Sequence, residues 1–312
     1  MEFLKEESAK KILFTGLDFA GKTSLILALQ REFSKIAILK PTRSAQRRVF
    51  SFLGLDFSEW DLGGQIQYRI NYLKNPSKYF DKTEVAIYVI DIQDSDRFSE
   101  SISYLNDVVK QFKKLEIEPP IYIFFHKIDP ALLKSATKEM NDLVVNLKAR
   151  IEKYVDYKKL FYYKTSIFNL YTVMNAFSEV LLKLFPKSAL IDESLTAFGK
   201  KIDAEGLIVI DDNSLMIGRY FKDEDIQQVM NMSAPYFLTL HDSFKDGSGE
   251  EPPQLKEEDM VVKRFGKYFM FKEIRFHSGS EPYYLLIANN NQWFDQKEIE
   301  EFIKIFEEFF AR

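Results

Sequence analysis

The chain contains no cysteine, which excludes disulfides, thiolate metal sites, a cysteine nucleophile and any lipid attached through sulfur. That absence suits a reducing cytoplasm, and a cytoplasmic location is the expectation. Excess charge of one sign is slight: 43 Lys and Arg stand against 47 Asp and Glu, a formal net charge of -4. A global electrostatic case for nucleic acid or an anionic membrane is therefore absent, and no nucleic-acid partner is expected. Long hydrophobic runs are missing too. The longest, such as "VAIYVI" and "IYIFF", fall far short of the roughly 20 residues that cross a bilayer. The opening "MEFLKEESAKK" has Glu2 where myristoylation needs glycine, and no apolar signal region follows it. No direct membrane anchor is expected; recruitment to a membrane surface would come through partners.

What is present is 312 residues, 46% hydrophobic and 29% charged, enough for one large or two ordinary cores. From Lys11 to about Pro186, short β-branched or aromatic runs alternate with longer amphipathic stretches, the rhythm of an open, mostly parallel sheet with helices on both faces. The runs "KILFTG", "EVAIYVID", "PIYIFF" and "LFYYKT" are continuous rather than alternating, as strands covered on both faces should be. "VFSFLGLDFSEWD" reads as an antiparallel hairpin about Gly54. Pro186 stops the last helix of this first domain, residues 1–187.

After it the order changes to αββαβββα over residues 190–312. A helix is expected near Leu190 to Ile202, then strands at "GLIVID" and "SLMIGRYF", then a helical region from Asp223 that Pro235 should kink or interrupt. Lys245 to Asp259 has the Gly, Pro and charge content of a mobile loop. Three strands follow, and the tail repeats Ile299, Phe302, Ile303, Phe306, Phe309 and Phe310 at three and four residues, an amphipathic helix.

"GLDFAGKT", Gly16 to Thr23, fits G-x-x-x-x-G-K-[ST] between a strand and the helical "SLILALQREF". Glycines such as Gly16 and Gly21 let the backbone turn tightly and aim N–H groups at phosphate, with Asp18, Ala20 and Ser24 along the same loop and helix start. Lys22 would bridge the outer phosphates and the Thr23 hydroxyl would bind Mg2+. "WDLGGQ", Trp60 to Gln65, ends a hairpin strand. Asp61 there can hold the Mg2+ shell through water, Gly64 lets the backbone approach the terminal phosphate, and Gln65 can orient attacking water. Thr42, in "KPTRS", is placed to complete the Mg2+ shell in the GTP state. The strand "PIYIFF" runs into His126, Lys127, Ile128 and Asp129. Asp129 can accept both guanine N1–H and N2–H2, the Lys127 stem can lie over the base, and a His126 N–H can reach the P-loop. Arg43, Arg47 and Arg48 beside Thr42 read as a solvated charged face.

With these residues assembled, the first 187 residues resemble a small GTPase of the Ras superfamily. "GLDFAGKT" and "WDLGGQ" are similar to the Arf P-loop and switch II. The base end instead resembles the Rag/Gtr GTPases, whose His-Lys-x-Asp variant is matched by "HKID"; "EVAIYVIDIQ" and "YKTSIFNLYTVMNAFSEVLLKLFP" resemble the corresponding Rag segments. The resemblance implies a P-loop GTPase fold, GTP or GDP with Mg2+, and a final loop, "TSI", in which Ser166 and Ile167 would offer backbone N–H groups to guanine. It also implies activating and exchange proteins, and a C-terminal roadblock or longin-type module through which the chain forms a homodimer or heterodimer. Asp18, where Ras-like members have Gly, implies slow hydrolysis alone. The residues leave two alternatives open: a P-loop ATPase or small-molecule kinase, and a nucleotide-binding scaffold without turnover.

Overall fold

The structure is a computed structural model that describes residues 9–36, 38–246, 260–275 and 282–309. It divides into two units, Met1–Ala176 and Phe177–Arg312.

In the first unit six strands form one sheet in the order β2-β3-β1-β4-β5-β6. They are β1 (Lys10–Gly16), β2 (Ala45–Phe52), β3 (Leu55–Leu62), β4 (Thr83–Asp91), β5 (Ile121–His126) and β6 (Leu160–Thr165). β2 and β3 pair antiparallel around Gly54, whose φ of 73° suits a residue without Cβ; every other pairing is parallel. Every residue of β5 is buried, and only the first residue of β1 is not, so their continuous apolar runs are covered on both faces. β6 departs from that expectation. It is the edge strand and its burial is broken, with Phe161 42% exposed, because among the described residues no strand flanks its outer side.

The longer helices of this unit are α1 (Lys22–Leu29), α2 (Ile66–Lys74), α3 (Phe98–Lys114), α4 (Pro130–Tyr154) and α5 (Leu170–Leu184), the last of which continues into the second unit; Phe33–Ile36 and Pro76–Tyr79 form single turns. On α3, Ile102, Leu105, Val109 and Phe112 recur at three and four residues and pack into the core. α1 is shorter than "SLILALQREF" suggests: it ends at Leu29, Gln30 caps it, and Arg31 turns left-handed at φ 56°. Past Leu29 the charged Arg31 and Glu32 offer no apolar face to bury. The parallel register brings Gly16 opposite Val89, Asp91 opposite His126 and His126 opposite Thr165. The carboxyl ends of β1, β4, β5 and β6 thus line one edge, where open α/β sheets place ligands.

The second unit carries α6 (Ser188–Lys201), β7 (Gly206–Asp211), β8 (Met216–Phe221), α7 (Glu224–Asp246), β9 (Met260–Arg264), β10 (Lys267–Ile274), β11 (Tyr283–Asn289) and α8 (Gln296–Glu307). Its strands make a five-stranded antiparallel sheet, β8-β7-β11-β10-β9. Ile299, Phe302 and Phe306 of α8 are buried, and the Phe302 ring stacks on Phe198 of α6 at 4.1 Å between centroids. α7 runs as one helix through Pro235, so the proline does not interrupt it. It buries Ile226, Met230, Ala234 and Leu238, and that burial offsets the roughly 3 kcal/mol of an interior proline. Of the expected loop Lys245 to Asp259, positions 247–259 lie outside the described residues, as does Phe310. Among the described residues no helix is long and apolar enough to cross a membrane.

Candidate functional site

The site begins where β1 ends. Gly16 adopts φ 139°, and a Cβ there would sit 2.4 Å from the Val89 carbonyl oxygen. Gly21, at φ 95°, would drive a Cβ to 2.5 Å from His126 Cδ2. Both positions need glycine for space and backbone together. Lys22 opens α1 with its side chain buried, Nζ donating to the carbonyls of Leu17 at 2.7 Å and Gly16 at 3.2 Å. Burial lowers its pKa to about 8 against the opposing pull of Asp61 and Asp18.

Three oxygens from distant parts of the chain converge next to it. Thr23 Oγ1 donates to Asp61 Oδ2 at 2.6 Å, Thr42 Oγ1 donates to the same oxygen at 3.3 Å, and the two hydroxyls are 2.6 Å apart. Asp61 Oδ1 is buried without a hydrogen-bond partner. Hydroxyl and carboxylate oxygens are the hard donors that Mg2+ takes, so the residues fit that ion.

The switch segment lies directly on the P-loop. A Cβ on Gly64 would fall 2.1 Å from both the Asp18 amide nitrogen and the Leu17 carbonyl carbon. Gln65 precedes α2 in extended conformation and is half-buried; its Oε1 accepts from Gln67 Nε2 at 3.2 Å. One cleft of about 200 Å3 is lined by residues that include Asp18, Lys22, Thr23, Thr42, Gln65 and Lys127; Ser24 and Gly64 line it too. Ala20, within the loop, is buried.

At the base end His126 is buried, and its pKa falls to about 4, chiefly through burial and then through the Lys127 charge; the ring is neutral at pH 7. Its Nδ1 bonds Thr165 Oγ1 at 3.0 Å while its Cδ2–Nε2 edge packs on Gly21. Contact with the P-loop is thus by packing at a glycine, where the sequence suggests a hydrogen bond. Lys127, left-handed at φ 66°, donates to Asp91 Oδ2 at 2.6 Å. Asp129 accepts from Ser166 Oγ at 2.6 Å and from Gln93 Nε2 at 3.1 Å. The Ser166 N–H, expected to face guanine, instead donates to Thr172 Oγ1 at 3.0 Å, so Ser166 acts here through its hydroxyl. Ile167 follows it, half-buried.

Sequence reasoning missed Asp91, Gln93, Arg97 and Glu100. Gln93 holds both Asp129 and the Lys127 carbonyl, and Arg97 ion-pairs with Asp18 at 2.7 Å. Their shared signal is position: Asp91 ends β4 and the other three follow it, where this class of sheet concentrates ligand contacts. Arg47 and Arg48, in contrast, run along β2, Arg47 on Ser58 and over the Trp60 ring and Arg48 bonded to Gln30.

A family model described as the Gtr1/RagA G protein conserved region matches residues 11–234. ADP-ribosylation factor-like protein 3 of Chlamydomonas reinhardtii is 38% identical over 125 residues, 40% of this chain and 66% of its own length. For ADP-ribosylation factor-like protein alp41 of Schizosaccharomyces pombe the identity is 38% over 112 residues, 36% of this chain, and the chain spans 56% of that relative's length. The GTP-binding protein GTR1 of Saccharomyces cerevisiae is 22% identical over 218 residues, 69% of each chain. A solved structure of the Arl6 BBS3 small GTPase of Trypanosoma brucei, with a bound nucleotide analogue, aligns at 20% identity and a TM-score of 0.41, over 55% of this chain and 95% of that one.

Proposed function

The chain belongs to the Gtr1/RagA G protein family, and from that premise we propose that it is a switch that binds GTP or GDP with Mg2+, hydrolyses GTP slowly on its own, and recruits partners in the GTP state. The observation that carries this reading is the single cleft in which the Thr23–Thr42–Asp61 cluster, Lys22, Gln65 and Lys127 meet. Thr23, Thr42 and, through water, Asp61 would hold Mg2+, which when bound neutralises phosphate charge. Lys22 sits in a buried, low-dielectric setting where its charge acts strongly on the outer phosphates. Gln65, at the entry to α2, would orient the attacking water. Asp129 is held in place from both sides by Ser166 and Gln93, and its carboxylate would accept from N1–H and N2–H2 of guanine. Adenine offers no proton at the ring nitrogen, so Asp129 counts against the P-loop ATPase or kinase reading.

The second unit, with its αββαβββα order, is read as a roadblock or longin-type module that pairs with another chain of the same or a related kind. Activating and exchange proteins, and recruitment from the cytoplasm to a membrane by partners, complete the reading. The test is nucleotide competition on the full chain. GTP and GDP should displace a fluorescent guanine nucleotide about a hundredfold better than ATP, the equivalent of a few kcal/mol for an unpaired carboxylate contact, and Asp129→Asn should shift preference toward xanthosine nucleotides. Equal affinity for ATP and GTP in the wild type would sink the guanine assignment.

A further inference from the structure

A carboxylate at the third P-loop position is awkward for a protein that must accept a triphosphate. Under the reading above, Gly64 marks where the terminal phosphate is approached, and the backbone of Asp18 abuts Gly64. An unpaired Asp18 charge would therefore repel the third phosphate more than the first two. The structure shows what becomes of that charge. Arg97, at the end of a 3-10 turn after β4 (Ser95–Arg97), donates through Nη2 to Asp18 Oδ1 at 2.7 Å and through Nη1 to the Asp18 carbonyl at 3.3 Å. Its Nε donates to Glu100 Oε2 at 2.9 Å. The other Glu100 oxygen accepts from Arg69 of α2, whose guanidinium is almost buried and lies over the Tyr104 ring at 5.0 Å. Hydrogen bonds from Arg97, then Arg69, hold the Glu100 carboxyl below its ordinary range. Charges alternate along the chain Asp18, Arg97, Glu100, Arg69, and they sum to zero.

We propose that Arg97 is a positioning residue that turns the Asp18 carboxylate onto α3 and neutralises it, so that the P-loop accepts GTP, and that Glu100 carries this arrangement to Arg69 on the switch helix that begins beside Gln65. The proposal rests on the guanine-nucleotide reading. Arg97 acts on Asp18 and not on the nucleotide. Its role differs from that of an arginine finger, because the charge it answers belongs to the protein. A guanidinium, which here reaches the Asp18 carboxylate, the Asp18 carbonyl and Glu100 at once, suits that task better than an ammonium would. Asp18 and Arg97 are only 23% and 29% exposed, so solvent screens the pair incompletely.

The experiment uses the full chain with Mg2+ and measures GTP and GDP affinity by displacement of a fluorescent guanine nucleotide, with single-turnover hydrolysis in parallel. Arg97→Met should lower the GTP-to-GDP affinity ratio about tenfold while GDP affinity changes by less than about threefold, since only GTP brings the additional charge. Asp18→Asn in the Arg97→Met background should restore the ratio, and Arg97→Lys should restore part of it. Glu100→Gln should keep the ratio and slow single-turnover hydrolysis, because it cuts the tie to α2 and leaves Asp18 paired. An unchanged ratio in Arg97→Met, or a loss that Asp18→Asn does not rescue, overturns the charge-compensation role; an unchanged rate in Glu100→Gln overturns the coupling to α2. Should Arg97→Met unfold, Arg97→Lys and the Asp18→Asn/Arg97→Met pair carry the same comparison. Wild type that binds neither nucleotide would instead sink the functional reading itself, and this inference with it.

Discussion

Thr23 and Thr42 meet hydroxyl to hydroxyl at 2.6 Å across 19 residues of sequence, and both donate to one oxygen of Asp61. Two hydroxyls competing for one carboxylate oxygen, with the other oxygen unpartnered, form a cluster that a divalent cation would satisfy better than the residues satisfy one another. Thr42→Ala is therefore expected to weaken Mg2+ binding selectively. With GTP bound, the Mg2+ concentration for half-maximal retention should rise about tenfold, the loss of roughly one charge-assisted contact, while GDP retention barely changes. Thr23→Asn should weaken both nucleotide states. Equal Mg2+ titrations for wild type and Thr42→Ala would remove Thr42 from the metal shell.

His126 predicts a pH dependence. Its folded pKa of about 4 lies below the ordinary histidine value of 6.5, so the unfolded chain binds the proton more readily than the folded one. Stability is full above about pH 6.5 and is lost as pH falls toward 4, by a maximum of about 3 kcal/mol from this group. His126→Asn removes the titration. The difference between wild-type and variant stability, from urea unfolding at a series of pH values, should be flat above pH 6.5 and shrink below it. A flat difference down to pH 4 would show that the ring is not held neutral by burial.

Two glycines separate backbone strain from crowding. Gly54 and Gly64 both sit in the hairpin and switch region, yet a Cβ on Gly54 meets nothing within 4 Å while one on Gly64 meets P-loop backbone at 2.1 Å. Gly54→Ala should cost only about 1 kcal/mol, from its positive φ. Gly64→Ala must push the switch off the P-loop, and should reduce GTP affinity at least tenfold with little change in thermal stability. If the two variants behave alike in nucleotide binding, the close approach of Gly64 has no functional weight.

What the sequence made legible follows the range of the interactions involved. The P-loop, "WDLGGQ" and "HKID" are local patterns fixed by strand–turn–helix geometry, and the structure gathers Lys22, Thr23, Thr42 and Lys127 around one cleft, with Asp61 bonded to Thr23. The order of elements in the second unit was legible because each apolar run is bounded by turn residues. Three features were not. The exposure of β6 depends on its place at the edge of the sheet. The survival of α7 across Pro235 depends on what the helix buries. The Asp18–Arg97 pair spans 79 residues and no motif announces it.

The proposed pairing through the second unit can be tested at a defined surface. α7 and the β9–β10 hairpin leave an apolar groove of about 440 Å3, with Met232, Tyr236, Leu240 and Phe265 at 58%, 75%, 41% and 71% exposure. β9 is also an edge strand of its sheet. Exposed rings beside a strand edge that is unpaired among the described residues are the features that association covers. Phe265 holds a left-handed φ of 51°, a conformation that Asp tolerates better than Phe, so Phe265→Asp adds charge without straining the turn. Combined with Tyr236→Asp, it should convert a dimer of the full chain to monomer by light scattering. Nucleotide affinity should stay within about twofold of wild type, because the cleft is built wholly from the first unit. A double variant that remains dimeric would place the interface elsewhere, and a monomeric wild type that recovers no partner chain from native extract would reject the pairing.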